Sequence, residues 1–347
     1  MLKKLASIIL AFLFLLPLAA CSHGDTPRSY SKSFNDLFDT ASTISAVDSS
    51  QEAFNSRFAA VYDTLKAYSQ KFDIYADYAG VVNLKSVNDN AGSPVKVDSD
   101  IIELLKYGKN AYYSTGGRVN IAMGSVLSLW HDSRENALKN PKTASIPDDK
   151  ALKNAAKYTN IDDLIIDEKN STVMLKSKNM SLDVGAIAKG FVCEKIAEYI
   201  KNNGIWQSAV VSLGGNVKTI GTKYNDGKTK FNIAVENPSG GDYLCTVGAS
   251  NGLSVVTSGD YQRTFTVGGK KYCHIINPDT LMPSEYMSAV TVVCNDSAKC
   301  DAMSTALFNM SIADGVRLVD SMDGLCAMWV DKNGKITYSN GFEDLIN

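Results

Sequence analysis

The sequence predicts an α+β fold, with helices flanking mixed or antiparallel sheets, on three observations. Over residues 51–73, "QEAFNSRFAAVYDTLKAYSQKFD", apolar residues recur at 54, 58, 61, 65 and 68, the stripe of an amphipathic helix. Alternating segments that turn at Asn or Gly read as hairpins; "LCAMWVDKNGKITYS" is the clearest, with Asn333-Gly334 at its turn. Helices and hairpins are interleaved without the strict strand–helix alternation of a doubly wound parallel sheet. The bulk numbers agree. A chain of 347 residues, 45% apolar and 21% charged, can bury a sizeable core as one large domain or two ordinary ones. A net charge of −2 with no basic block weighs against a nucleic-acid partner, which demands a positive face.

From the N-terminus, residues 1–20 read as an export signal. Lys3 and Lys4 precede "LASIILAFLFLLPLAA", an apolar run shorter than the ~20 residues that span a bilayer. The run ends in Leu18-Ala19-Ala20-Cys21, similar to a bacterial lipobox. Cys21 is therefore the expected lipidation site. The mature chain is expected to be lipid-anchored to the bacterial cell membrane and to face away from the cytoplasm. A polar tether, 21–32, follows, and one domain is expected over 33–347.

Within that domain, "DSDIIELLKYGKNAYYSTGG" predicts a second helix, capped by Asp98 or Ser99 and stopped at Gly116-Gly117. "IDDLIIDEKNSTVMLKS" predicts two strands around a Lys-Asn turn. In "SLDVGAIAKGFVCEKIAEYIKNNG", a strand is expected to end at Asp183 and a helix to run from near Gly185-Ala186 to Gly204. Small residues at such a turn let backbone amides approach a ligand, and a helix N-terminus favours an anion. Asp183 could accept hydrogen bonds from that ligand and Lys189 could meet its charge; a plain N-cap and a solvated lysine fit the same residues. Gly214-Gly215 inside "AVVSLGGNVKTIG" predicts a bulge or a close backbone approach. "TSGDYQRTF" places Thr257, Ser258 and Gly259 in a polar turn and could pair Asp260 with Arg263. In "KCDAMSTALFNM", Asp301 and Thr305 are four apart and share one helix face, which can offer hard oxygen ligands to a cation such as Mg²⁺. Asp301 also fits a plain first-turn charge. One of only three histidines, His274, lies in "KYCHIINPDTLMP", between an apolar run and a Pro-punctuated turn. Beyond Cys21, the other cysteines (193, 245, 273, 294, 300 and 326) show no CxxC pair or metal spacing and are expected to be free thiols.

Together these stretches resemble the ApbE family, the FAD:protein FMN transferases. The resemblance runs through "FDTAST" (38–43), "FDIYADYAGVVNLKSVND" (72–89), "GGRVNIAMGSVLSLW" (116–130), "DVGAIAKGF", "SLGGNVKTIG", "TSGDYQR", "HIINP" and "CDAMSTALF", in family order. It implies a bilobed fold with FAD between the lobes and Mg²⁺ at the FAD pyrophosphate. Asp301 and Thr305 would be the side-chain ligands of the metal, with Ala186 and Ala298 adding backbone carbonyls. Asp183 and Lys189 match positions near the adenosine and phosphates, and Tyr75, Val119, Asn120, Thr257 and Ile276 match the flavin nucleotide site. The implied reaction is attack on the FMN phosphorus of FAD by a Ser or Thr hydroxyl of an exported or membrane redox protein, with AMP leaving. Its acceptor sequence resembles Asp-x-x-Ser/Thr-Gly-Ala-Ser/Thr. A hydroxyl needs a base, and His274, with an imidazole that titrates near neutrality, is the candidate. Two departures stand out: Leu281 replaces a glycine the family often has, and Ala186 replaces another.

Three other readings compete. The same pocket could hydrolyse FAD to FMN and AMP, or the chain could bind flavin without catalysis. It could also be an electron carrier that itself holds covalent FMN. Against the last, "VGAS" at 247–250 has Val247 where the modified hydroxyl residue would stand.

Overall fold

A computed structural model describes residues 27–347. Cys21, the signal and the first part of the tether lie outside the described residues. In chain order the elements begin β1 (Arg28–Phe34), β2 (Ser42–Asp48), α1 (Gln51–Phe72), α2 (Leu84–Asp89), β3 (Val95–Lys96), α3 (Ser99–Ser114), α4 (Gly124–Lys139) and α5 (Asp149–Ala155). Next come β4 (Leu164–Asp167), β5 (Thr172–Leu175), α6 (Ala188–Asn202), β6 (Ala209–Leu213), β7 (Asn216–Ile220), β8 (Phe231–Val235) and β9 (Cys245–Ala249). The chain closes with β10 (Ser254–Gly259), β11 (Phe265–Val267), β12 (Lys270–Tyr272), β13 (Ala289–Cys294), α7 (Ser297–Phe308), α8 (Ile312–Asp320), β14 (Cys326–Val330) and β15 (Ile336–Tyr338).

The fold is α+β, as expected. Its centre is an eight-stranded sheet, β1-β2-β6-β7-β10-β13-β14-β15, in which every neighbouring pair is antiparallel. β13, "AVTVVC", is buried at every position, as a strand covered on both faces must be. Helix α7 packs on β10 and β13, and α6 packs on β6 and β7. α7 is buried almost throughout, which explains why most of its residues are small or apolar.

α1 buries Phe54, Phe58, Val61 and Leu65 of the predicted stripe, and the Ser50 hydroxyl caps it by accepting the Ala53 N–H at 3.1 Å. Asp98 caps α3, which gives way to left-handed Gly116 and Gly117. The Leu164–Leu175 and Cys326–Tyr338 hairpins form as read. All six cysteines of the described residues are free, with Cys294 and Cys300 in sulfur contact.

Four local expectations change. β1 pairs with β2 from Arg28 onward, so residues 28–32 belong to the sheet edge and not to a tether. Residues 181–183 form only one parallel bridge, Ser181 to Met123, with backbone bonds from Asp183 to the Ile121 carbonyl (2.9 Å) and from Gly124 to the Ser181 carbonyl (3.0 Å); on the other side Asn88 holds Leu182 through both its amide atoms. Helix α6 starts at Ala188 after a turn, without a side-chain cap. Gly214-Gly215 is a two-residue hairpin turn between β6 and β7 and not a bulge, both residues at positive φ, while the close approach expected there is present, since a Cβ on Gly214 would collide with Thr40 Oγ1.

Candidate active site

A cavity of about 740 Å³ is enclosed between the sheet with α6 and α7 on one side and the 73–75 turn, the 118–120 loop and α4 on the other. It gathers Tyr75, Val119, Asn120, Asp183, Ala186, Lys189, Thr257, His274, Ile276, Asp301 and Thr305. These stretches lie as much as 230 positions apart in sequence (305 − 75), so only the tertiary fold brings them together. Ala298 is the exception. It is buried in the first turn of α7, where the helix carries its backbone, and it does not line the cavity.

Each wall has a local cause. Asp73 ends α1 and accepts the N–H groups of Tyr75 (2.6 Å) and Ala76 (3.1 Å) and the Tyr78 hydroxyl (2.7 Å). This turn throws Tyr75 outward, 61% exposed, onto the face of His131 with ring centroids 4.9 Å apart. Asn120 is spent on its own loop, donating to the Thr159 carbonyl and accepting the Ala122 N–H, so it shapes the wall. Thr257 and Thr291 share a hydroxyl hydrogen bond of 2.8 Å across β10 and β13.

The oxygen-rich corner forms where α6 meets α7. The Gly190 N–H, one of the orphan donors of the first turn of α6, donates to Asp301 Oδ2 at 2.8 Å. Any Cβ at Gly190 would collide with the Ser297 carbonyl and with Asp301 Cβ, so glycine is what lets the helices approach. Burial raises the Asp301 carboxyl above the usual carboxylate range, opposed by Lys189, the Gly190 N–H and Asn216. Asp183 is likewise raised by enclosure, while its Oδ1 accepts the Gly185 N–H at 2.8 Å. Asn216, 2% exposed, lines the cavity beside Asp301, and its Oδ1 has no partner. Asp301, Thr305, the Ala186 carbonyl and this orphaned oxygen are hard donors with a single carboxylate. That set suits Mg²⁺, which keeps water and phosphate oxygens for its other positions. Among the described residues no group of three or more His, Cys, Asp or Glu could hold a metal, so a cation here depends on such hydroxyl, carbonyl and phosphate oxygens.

His274 stands across the cavity. Its ring faces the cavity alongside Gln262 and Arg263. Enclosure by the walls, then the charges of Arg263, Lys189 and Arg134, push its pKa from 6.5 down to about 3. By surface area the ring still meets water along the cavity. Hydration therefore offsets part of the enclosure, and the three cations fix the direction. The loop behind it is braced on α7: Ser284 donates to the Phe308 carbonyl at 2.6 Å, the Asn277 amide donates to the Asn309 carbonyl at 3.4 Å, and the Asn309 amide donates to the Ile276 carbonyl at 3.4 Å. Leu281 takes the left-handed conformation a glycine would favour (φ 61°), so the loop geometry survives the departure.

His131, Arg134, Asn216 and Arg263 also line the cavity and were missed or misassigned from sequence. Arg263 pairs with Asp39 at 3.3 Å while Asp260 pairs with Lys332 at 2.6 Å, so the expected Asp260–Arg263 pair does not form. Each takes a partner distant in sequence, Asp39 for Arg263 and Lys332 for Asp260, that neighbouring residues cannot reveal.

The sequence matches the ApbE family over residues 38–329. A FAD:protein FMN transferase of Klebsiella pneumoniae is 29% identical over 296 residues, covering 84% of this chain and 86% of that protein. One of Treponema pallidum is 31% identical over 277 residues, covering 76% and 74%. The crystal structure of the ApbE protein of Thermotoga maritima superposes with a TM-score of 0.80 at 29% identity, over 92% of this chain and all of that one. Fold, cavity and sequence thus agree over most of the described chain, which belongs to the ApbE family.

Proposed function

We propose that this chain transfers FMN from FAD, with Mg²⁺, to a Ser or Thr hydroxyl of an acceptor protein and releases AMP. The observation that carries the reading is the placement, around one cavity, of an unprotonated His274, a hard-oxygen corner at Asp301 and Thr305, and the cations Lys189 and Arg263. The acceptor hydroxyl gives its proton to a ring nitrogen of His274 as its oxygen bonds to the FMN phosphorus. The bond from that phosphorus to the bridging oxygen breaks, and AMP departs with the electron pair. Asp301, Thr305 and the Ala186 carbonyl would hold Mg²⁺, with Asn216 beside them; the ion would offset charge on the pyrophosphate oxygens. Lys189 adds a positive charge at the start of α6, where helix geometry already favours an anion. Lipid anchoring at Cys21, outside the cytoplasm, completes the proposal, because it would face the chain toward exported or membrane redox acceptors carrying an Asp-x-x-Ser/Thr-Gly-Ala-Ser/Thr-like sequence.

The test is incubation with FAD, Mg²⁺ and such an acceptor. Flavin fluorescence in the denatured acceptor band, with AMP in equal amount, is expected, and Asp301→Ala should abolish both. Free FMN and AMP with an unlabelled acceptor would make the chain a FAD pyrophosphatase. FAD binding without either product would make it a flavin-binding protein. Cys21→Ser should remove lipid labelling; unchanged labelling would contradict the anchor.

A further inference from the structure

Three residues that lack the freedom of glycine take left-handed backbone around one contact at the cavity wall. They are Phe38 (φ 55°), Asp39 (φ 50°) and Arg263 (φ 45°). Side chains with a Cβ avoid this region, and it persists where the surroundings enforce it, often at functional sites. The three meet at the Arg263 guanidinium. Its Nη2 donates to the Asp39 carbonyl at 2.6 Å and the Phe38 carbonyl at 3.3 Å. The carboxylate it pairs with, on Asp39, is 88% exposed. No hydrogen bond engages Nη1 or Nε among the described residues.

The same residue shares the wall of the base. Gln262, immediately before it, lines the cavity with His274, and the left-handed turn at Arg263 shapes the backbone there. One strained position thus holds a fork of unused donors in the cavity that also contains His274.

We propose that Arg263 is a catalytic residue whose guanidinium leaves the Phe38 and Asp39 carbonyls to bind the oxygens of the transferred phosphoryl group. This rests on the FMN-transfer reading. Neutral carbonyls are weak partners for a guanidinium, and phosphate oxygens offer charge-assisted, forked bonds that are stronger. As the acceptor oxygen bonds to phosphorus and the bond to AMP breaks, charge on those oxygens changes, and a pre-placed cation stabilises it. Lys189 presents a point charge; the planar fork of Arg263 suits the geometry of two phosphoryl oxygens.

The experiment uses Arg263→Asn, because asparagine tolerates left-handed backbone and so keeps the local chain path at the cavity wall. Arg263→Lys keeps the charge without the fork. FMN transfer to acceptor and AMP release are measured against FAD concentration, alongside FAD affinity by flavin fluorescence and melting temperature. Arg263→Asn is expected to lower kcat by about 10²–10³-fold, the range for one lost transition-state donor, with a much smaller change in KM for FAD. Arg263→Lys should recover only a minor part. Added guanidinium should restore part of the rate in Arg263→Asn and none in His274→Ala. A wild-type kcat in Arg263→Asn, a loss confined to KM, or a loss that guanidinium leaves untouched overturns the assignment while the transferase reading stands. A wild-type protein that yields neither labelled acceptor nor AMP removes that reading and this inference with it.

Discussion

Replacing Gly190 with alanine should damage the metal corner through a single methyl group. The added Cβ would lie closer than 3.0 Å to both the Ser297 carbonyl oxygen and Asp301 Cβ, and 3.0 Å from the Ser297 carbonyl carbon. Non-bonded carbons sit best at about 3.5–4.0 Å, so α7 has to withdraw from α6 by roughly 1 Å. Two of these atoms are backbone and the third is anchored to it, so no flexible side chain can swing away. Overpacking of this kind costs ~1–3 kcal/mol, and alanine recovers ~1 kcal/mol of helix propensity. The net loss should be about 2 kcal/mol at most, which a domain of this size survives. The larger effect falls on function. Withdrawal of α7 lengthens the 2.8 Å bond from the Gly190 N–H to Asp301 and shifts Thr305 with it. A misplacement of about 1 Å at a reacting centre can cost ~10²-fold in rate. FMN transfer by Gly190→Ala should therefore fall by that order, with a higher Mg²⁺ requirement, while urea denaturation shows a modest change. Gly204→Ala is the control. Its left-handed backbone (φ 58°) makes alanine strained, yet a Cβ there meets nothing within 4 Å, so stability should drop with no change in Mg²⁺ dependence. Wild-type rate and Mg²⁺ titration in Gly190→Ala would refute the claim that this helix contact sets the site.

Leu281→Gly should leave stability within ~1 kcal/mol of wild type, since relief of left-handed strain, worth about 1–2 kcal/mol, offsets lost packing; a large loss by urea denaturation would show that the leucine itself holds the loop. Lys218→Met should destabilise by about 2–4 kcal/mol, below the full range for a broken buried pair because Glu194 is partly exposed. Lys218 Nζ satisfies the Gly252 and Asn295 carbonyls at 2.7 Å each and Glu194 at 3.0 Å from a buried position; an unchanged denaturation midpoint would contradict this. The pH dependence follows from the lowered pKa of His274. The ring must be neutral to accept a proton, so the acid limb of kcat/KM should lie below the ordinary 6.5. Bound FAD brings negative charge and raises that pKa, so the limb of kcat should sit at higher pH than that of kcat/KM. The same difference makes folding weaken as pH falls below 6.5, because the unfolded chain takes the proton first. A kcat/KM limb above 6.5 would remove His274 as the base.

What the sequence made legible was local. The α1 stripe, the Asp98 cap, the Asn333-Gly334 hairpin and the i, i+4 pair Asp301 and Thr305 depend on neighbours within a few positions, and all appear in the structure. The family motifs added the grouping of distant segments, and the cavity assembles them as expected except for Ala298. What failed involved partners far away in the chain. Asn216 reads as an ordinary strand residue until α7 sets Asp301 beside it. Arg263 seemed paired with Asp260 because Asp39, 224 positions earlier (263 − 39), cannot be seen from "TSGDYQR". In place of the strand expected to end at Asp183 stands a segment held between the backbone of 121–124 and the Asn88 side chain, contacts with no periodic signal. His131 and Arg134 lie on the polar side of α4 and carry no pattern that separates them from solvated residues.

The most direct test of the central claim is the single-turnover rate of FMN transfer by His274→Ala at saturating FAD and Mg²⁺, with FAD binding and melting temperature measured on the same preparation. If His274 takes the proton of the acceptor hydroxyl, the rate should fall by about 10²–10⁴-fold, the usual contribution of a general base, while binding and melting stay close to wild type. A variant that melts earlier yet transfers FMN at the wild-type rate when folded would contradict the account and leave His274 as a wall of the cavity.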